Sequence, residues 1–426
     1  MFVGITNEPR NYAWGSTHAI ADLLGRTPSG SPEAELWLGA HAGSPSLIED
    51  PSQVGGFSNL AEWIASAPEV ALGAGWATRQ ADVPRLPFLL KILAAGRPLS
   101  LQAHPTTEQA RAGFELENEA GIAVDAGNRN FRDPFHKPEL IFALSDTFEA
   151  LCGFRPLPEV RGIIAELRLL DLATENPQAA AIDSLENHLA GGLRDTVDWL
   201  LRDGRGGDSG EVEWLVERVV ALATHAEFLA GGGAIIGYAR ELATVRALAA
   251  EYPGDPGIVL ALLLNRVSLK RGEVLYLPVG NIHAYLSGLG VELMAASDNV
   301  LRGGLTPKHI DIEELLAVLD FGEGPAPYLA PVVLGDGVSV YRPGVPDFAL
   351  VHIEADAAAA SATPVTMRQI TLTGPAIAIC TAGGFLVAGA GASRALKRGQ
   401  AVYVTPDEGT LTFAGTGEVF LAMPGA

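Results

Sequence analysis

Two polar side chains stand in an otherwise apolar segment, Leu99-Ser-Leu-Gln-Ala-His-Pro105. Gln102 and His104 are two apart, so on a β-strand they share one face. A histidine nitrogen and a glutamine amide oxygen on one face can be satisfied together by a metal ion. A solvated surface strand is the plainer alternative for this pair alone. A denser group follows in Phe131-Arg-Asp-Pro-Phe-His-Lys-Pro-Glu-Leu-Ile-Phe142. Pro134 and Pro138 fix the backbone on either side of His136 and Lys137. Glu139 then opens an apolar strand, and a carboxylate entering a β core needs a metal or a cation as partner.

Two later segments extend the chemistry. In Pro278-Val-Gly-Asn-Ile-His-Ala-Tyr-Leu286, His283 starts a strand after a turn, with Tyr285 on its face. A histidine so placed suits a metal in a small β-barrel, or a satisfied core position. In Gly290 to Lys308, a strand carrying Glu292 runs into a polar turn with Asp298 and Asn299. Arg302 follows, then Gly303 and Gly304, which permit close backbone approach to a ligand. The chain has only five lysines, and Lys91, Lys137 and Lys308 lie in or beside these clusters. Scarce cations gathered this way favour an anionic ligand.

These residues must be carried by defined elements. Up to about Pro156 the chain reads as short strands and turns, with a few helical pieces such as Leu60 to Ala67. From Leu157 to Asn265 apolar residues recur at helical spacing, as in Ile163, Ile164, Leu167 and Leu170. Strand texture returns after Val267. Leu269-Lys-Arg-Gly-Glu-Val-Leu-Tyr-Leu-Pro278 also echoes Leu396-Lys-Arg-Gly-Gln-Ala-Val-Tyr-Val-Thr405, so one β unit is expected twice. Carried forward, His283 aligns with Thr410, and the second copy lacks that candidate ligand. The expected architecture is mainly β with an α-helical insertion. Its parts are a discontinuous β domain (1–156 and 266–321), a helical insertion (157–265) and a C-terminal β domain (322–426) without metal.

Composition limits the function classes. The chain has 426 residues and a formal net charge of −21. Such a field disfavours nucleic acid as partner. The longest apolar run, Ile258 to Leu264, is far below the roughly 20 residues of a membrane span. No apolar stretch follows a basic start, so no secretory signal is expected. Cys152 and Cys380 are the only cysteines. A disulfide scaffold is not expected, and a cytoplasmic location is. The oligomeric state is not legible; a monomer is compatible with all of these features.

Together these strings closely resemble type I phosphomannose isomerases. The matching stretches are Asn11 to Ser16, Glu35 to Gly39, Pro87 to Pro105, Arg132 to Phe142 and Gly272 to Asp311. The resemblance implies two cupin-like jelly-roll β-sandwiches with a helical domain inserted in the first. It implies one zinc ion per chain on Gln102, His104, Glu139 and His283, and a catalytic role for Arg302. The implied reaction interconverts mannose 6-phosphate and fructose 6-phosphate through an enediolate. For that chemistry Glu292 is the preferred base, with His136, Lys137 and Asp298 as candidates and Lys308 assisting. Ser100, Lys91 and Tyr285 are the expected substrate contacts. The family is associated with carbohydrate metabolism and GDP-mannose biosynthesis. The chain departs from the pattern at Phe135, where Asn is common, and at Ala42-Gly43, where Pro-Asn is. The competing readings are a related cupin isomerase for another sugar, a non-catalytic sugar-phosphate binder and a metal-dependent dioxygenase.

Overall fold

The fold was analysed on a computed structural model that describes residues 1–77, 84–207, 209–335, 337–355 and 368–425. Two antiparallel sheets organise the described residues. One holds the candidate site residues. Its backbone is the 13-residue strand His283–Ala295, which pairs with Phe88–Ala95, Leu101–Ala103, Glu139–Ala143 and Thr147–Phe154. Leu93, Ile141, Phe148, Cys152, Leu275 and Tyr285 pack in one cluster between these strands. The other sheet is built on Ala376–Ala388 and Thr410–Met423. Phe142 of the first sheet meets Phe420 of the second at 4.9 Å between ring centroids, so the two sheets share a core.

Helix and strand take about 32% and 31% of the chain, which corrects the expectation of a mainly β protein. The excess helix has two sources. The expected helical run is dense, from Leu157–Leu172 to Ala239–Glu251, and ends at Leu263. Leu264 and Asn265 already pair with Phe154 and Cys152, so the strand begins two residues early. The second source is Thr107–Glu119, inside the segment read as strands and turns. Its start was legible: the Thr106 hydroxyl accepts from Gln109 N at 3.2 Å, and the Gln109 side chain accepts from Thr106 N at 2.9 Å. That is a capping box.

The repeated β unit is present in both sheets. Leu264–Lys270 turns into Val274–Leu277, as Ser393–Lys397 turns into Ala401–Val404. Gly272 and Gly399 occupy the two turns at φ of 89° and 81°, where a side chain is strained. Their surroundings differ. A Cβ on Gly272 meets open space, whereas one on Gly399 would lie 2.5 Å from Leu24 O. Gly272→Ala should therefore cost about 1–2 kcal/mol, and Gly399→Ala distinctly more, in denaturant unfolding. Equal losses would show that the Leu24 contact yields.

One pairing crosses the expected segment boundaries. Phe2–Thr6 pairs with Ala401–Val404, placing the first strand in the C-terminal sheet. Both cysteines are free and buried. Among the described residues no helix is long and apolar enough to cross a membrane.

Candidate metal centre

The strand register assembles the centre. Gln102 lies directly opposite both His283 and Arg302. Opposed residues in an antiparallel pair project to the same face. Gln102, His283 and Arg302 are therefore neighbours on one face across three strands. His104 follows the Leu101–Ala103 strand, and Glu139 opens its own strand opposite Met294.

The side chains converge. His104 Nε2 lies 3.3 Å from Glu139 Oε1, and His283 Nε2 lies 3.3 Å from Glu139 Oε2. Gln102 Nε2 is 3.3 Å from His283 Nε2. His104, Glu139 and His283 are each 1% exposed. One ligand atom from each falls within 4.8 Å of the others. The outer ring nitrogens fix the tautomers. His104 Nδ1 donates to Asn299 O at 2.7 Å, and His283 Nδ1 donates to Asn281 O at 3.0 Å. In the neutral rings both Nε2 lone pairs are then aimed at the carboxylate. Two lone pairs facing a carboxylate repel it unless a cation sits between them. His104 Nε2 and Glu139 Oε2 are indeed buried with no hydrogen-bond partner. The Gln102 amide, turned about its last bond, adds its oxygen to the set.

Local electrostatics suit a cation as well. Burial, then the Lys137 charge, push His104 down to about 4, so the imidazole stays neutral. Burial opposes the charge on Glu139, but the Lys137 ammonium holds its carboxyl well below the usual range. Lys137 Nζ lies 3.2 Å from Glu139 Oε1.

The centre opens on a cavity of about 610 Å³. Gln102, Glu139, Lys137, Ser100, Lys91, Tyr285, Glu292, Asp298, Arg302 and Lys308 all line it. His136 does not. Its Nε2 bonds the buried Asp347 at 2.7 Å, which ties it to the C-terminal segment. Asp298 sits at the rim, paired with His41 at 3.0 Å and 45% exposed. Burial opposes its charge, but His41, Lys137 and Arg132 hold its carboxyl low.

Lys91, an expected substrate contact, lies among carboxylates. Its Nζ lies 2.8 Å from Glu292 Oε2 and 3.5 Å from Glu35 Oε1. All three side chains are buried. Burial works against the ammonium, but Glu292, Glu35 and Glu139 outweigh it and its pKa rises. Burial, with Glu139 and Glu35, raises Glu292 against the pull of Lys91. The Tyr285 hydroxyl is buried beside Glu292, and burial followed by that carboxylate keeps it protonated. Lys91 thus lines the cavity with its charge set against two carboxylates. Lys91→Met would leave both uncompensated, a loss of about 3–5 kcal/mol for breaking a buried pair. Denaturant unfolding of the variant would measure it; a change below about 1 kcal/mol would mean that the carboxylates protonate freely.

Arg132, Arg302 and Lys308 are the cations left to the cavity. Among the described residues none of the three closes an ion pair. Burial, then Arg132, lowers Arg302; burial, then Arg302 and Arg132, lowers Lys308. An anion would relieve that mutual repulsion. Arg132 received no role in the sequence reading, although it adjoins the His136 cluster. Its signal was charge alone. Asn299, fully buried, was likewise given no role. Its side chain holds the 132–135 loop through Arg132 N, Asp133 O and Phe135 O, while its carbonyl orients His104. Phe135 and Ala42 line a separate cavity of about 550 Å³ that shares Arg132, Ser297 and Asp298 with the first. The Arg85 guanidinium covers the Phe135 ring at 3.6 Å.

Known proteins place the whole arrangement. The sequence profile of phosphomannose isomerase type I, catalytic domain, matches residues 2–157. The chain is 35% identical over 418 residues to the mannose-6-phosphate isomerase of Escherichia coli strain K12, covering 97% of each. The chain belongs to the mannose-6-phosphate isomerase family. The family extends to Rattus norvegicus, whose mannose-6-phosphate isomerase is 33% identical over 81% of this chain and 80% of that one. A point variant of the phosphomannose isomerase from Salmonella typhimurium superposes with a TM-score of 0.82 at 32% identity, both chains covered in full. A zinc-bound mannose 6-phosphate isomerase superposes with a TM-score of 0.81 at 33% identity, again over the whole of both chains. At these identities the likeness extends beyond fold to family.

Proposed function

We propose that this chain interconverts mannose 6-phosphate and fructose 6-phosphate, with one zinc ion held by Gln102, His104, Glu139 and His283. The observation that carries the reading is the buried, unpartnered pair of His104 Nε2 and Glu139 Oε2, facing the His283 lone pair in a family member's cavity. Two imidazoles, one carboxylate and one amide would hold the ion, and a further ligand would be admitted by expanding its coordination to five. When bound, the zinc supplies Lewis acidity at the substrate oxygens on C1 and C2.

The protein's own residues divide the remaining work. The reaction moves a proton between C1 and C2, and negative charge develops on both oxygens on the way. Arg302, beside Gln102 on the same sheet face, stabilises that charge. Glu292 carries the proton. Its carboxyl lines the cavity, and burial raises its pKa above the ordinary carboxylate value, which favours its taking up a proton. Lys91 holds Glu292 in position, and the Tyr285 hydroxyl packs beside it. Lys137 steadies Glu139. Arg132 and Lys308, with Ser100 lining the same cavity, receive the phosphate. The sheets are two cupin-like sandwiches, the helices from Leu157 an insertion between strands of the first. The C-terminal copy lacks this ligand, as Thr410, which bonds Thr371, stands where His283 would. The enzyme works in the cytoplasm, where free buried cysteines persist.

A coupled assay converting mannose 6-phosphate to fructose 6-phosphate, with and without a chelator, tests the reading. Activity lost on chelation and restored by zinc is expected. No activity after zinc is restored would sink the isomerase reading. Full activity after metal analysis shows the zinc gone would sink the zinc.

A further inference from the structure

The turn that returns Lys308 to the cavity carries unusual backbone. Leu305, at φ 54°, is the only non-glycine residue with positive φ among the described residues. A branched aliphatic side chain in the left-handed region costs about 1 kcal/mol or more and persists only when its surroundings impose it. Leu305 is 1% exposed, so the surroundings are protein. They belong to the junction that closes the helical segment. Asp255 Oδ1 accepts from Gly257 N at 2.7 Å, and its Oδ2 pairs with Arg205 at 3.0 Å. Gly257 meets the turn directly: a Cβ there would lie 3.0 Å from Leu305 Cγ and 3.1 Å from Leu305 N. Gly304, at φ 143°, is pressed from the same side. A Cβ there would lie 3.0 Å from Asp255 Oδ1 and from Gly257 Cα. Beyond the turn, Thr306 Oγ1 accepts from Lys308 N at 3.1 Å, and Leu305 through Lys308 all line the cavity.

This bracing answers an electrostatic need. Arg132, Arg302 and Lys308 face one cavity, and burial and mutual repulsion both disfavour their charges. Lys308 stands on a turn, not within a sheet, and would swing outward unless the backbone were held. We propose that Asp255 is a positioning residue for Lys308: with Gly257 it clamps the Gly304–Leu305 turn and so presents the Lys308 ammonium to an anionic group in the cavity. The helical segment thereby contributes to substrate binding without a catalytic residue. The proposal rests on the reading of the cavity as a sugar-phosphate site, and deepens it.

The test uses the full, zinc-loaded chain and inorganic phosphate as probe, with binding followed by calorimetry. Asp255→Ala should weaken phosphate binding and raise KM for mannose 6-phosphate, each about tenfold, with zinc content unchanged and kcat within about twofold. Asp255→Asn, which keeps the acceptor for Gly257 N–H, should restore most of that binding. In a Lys308→Ala background Asp255→Ala should have no further effect, because the group it positions is gone. A merely structural role would not show that dependence. If Asp255→Ala fails to fold, Leu305→Gly, which slackens the same turn, must show the same Lys308-dependent loss. Phosphate binding that ignores Asp255, or effects that add to those of Lys308→Ala, overturns the clamp; so does a parent chain that binds no phosphate. A chain that binds phosphate through the clamp but does not isomerise mannose 6-phosphate overturns the functional reading instead.

Discussion

Glu139→Ala is expected to leave a chain that no longer retains zinc and isomerises mannose 6-phosphate on the order of a thousandfold more slowly, or worse. Glu139 supplies the only negative charge in the proposed ligand set. The other donors are two imidazoles, oriented through Nδ1 by Asn299 O and Asn281 O, and one amide. A divalent ion in a buried site without that carboxylate has no formal countercharge, and Lys137, 3.2 Å from Glu139 Oε1, would then repel it. Metal content after dialysis, followed by the coupled assay, reads the effect. Stability gives an independent reading. Zinc at about 100 times its dissociation constant should stabilise the parent chain by about 2.7 kcal/mol and the variant by almost nothing. Glu139→Gln keeps the shape and loses the charge, so it guards against a simple packing defect. A variant that keeps one zinc per chain and near-normal turnover would remove Glu139 from the ligand set.

The second large effect belongs to Arg302. Arg302→Ala should lower kcat about 100- to 1000-fold while zinc content stays at one per chain. The strand register sets this expectation. Arg302 lies opposite Gln102, shares a face with His283 and lines the same cavity as Gln102 and Glu139. Being cationic without an ion pair among the described residues, it gains most when charge develops on the substrate. Arg302→Lys should recover only part of the loss, since an ammonium lacks the planar fork of donors. The split between kcat and KM decides the role. A loss confined to KM would reassign Arg302 to the phosphate alongside Arg132 and Lys308.

One part of the candidate metal centre was legible because it is local in sequence. Gln102 and His104 are two apart, and strand periodicity is enough to put them on one face. His283 and Tyr285 obey the same rule; their rings lie 6.1 Å apart. The duplicated hairpin was legible for a related reason, since Gly272 and Gly399 mark turns that demand positive φ. The helix Thr107–Glu119 was written in its capping box and overlooked in favour of the strand texture around it.

What the sequence offered by itself was donor types and the strand faces their spacing gives them, because backbone periodicity is a short-range property; the four-residue ligand set entered only through the resemblance to type I phosphomannose isomerases. Which charges cancel was left to the tertiary structure. Lys91 reads as a free cation among apolar neighbours, yet strand pairing sets its charge against Glu292, 201 positions away. His136 lies beside Lys137 in sequence but is drawn to Asp347, 211 positions on. Arg132, Arg302 and Lys308 become one cationic group only when a strand and two loops meet at the same cavity. Coulomb interactions act through space over a few ångströms, and separation along the chain carries no measure of that distance.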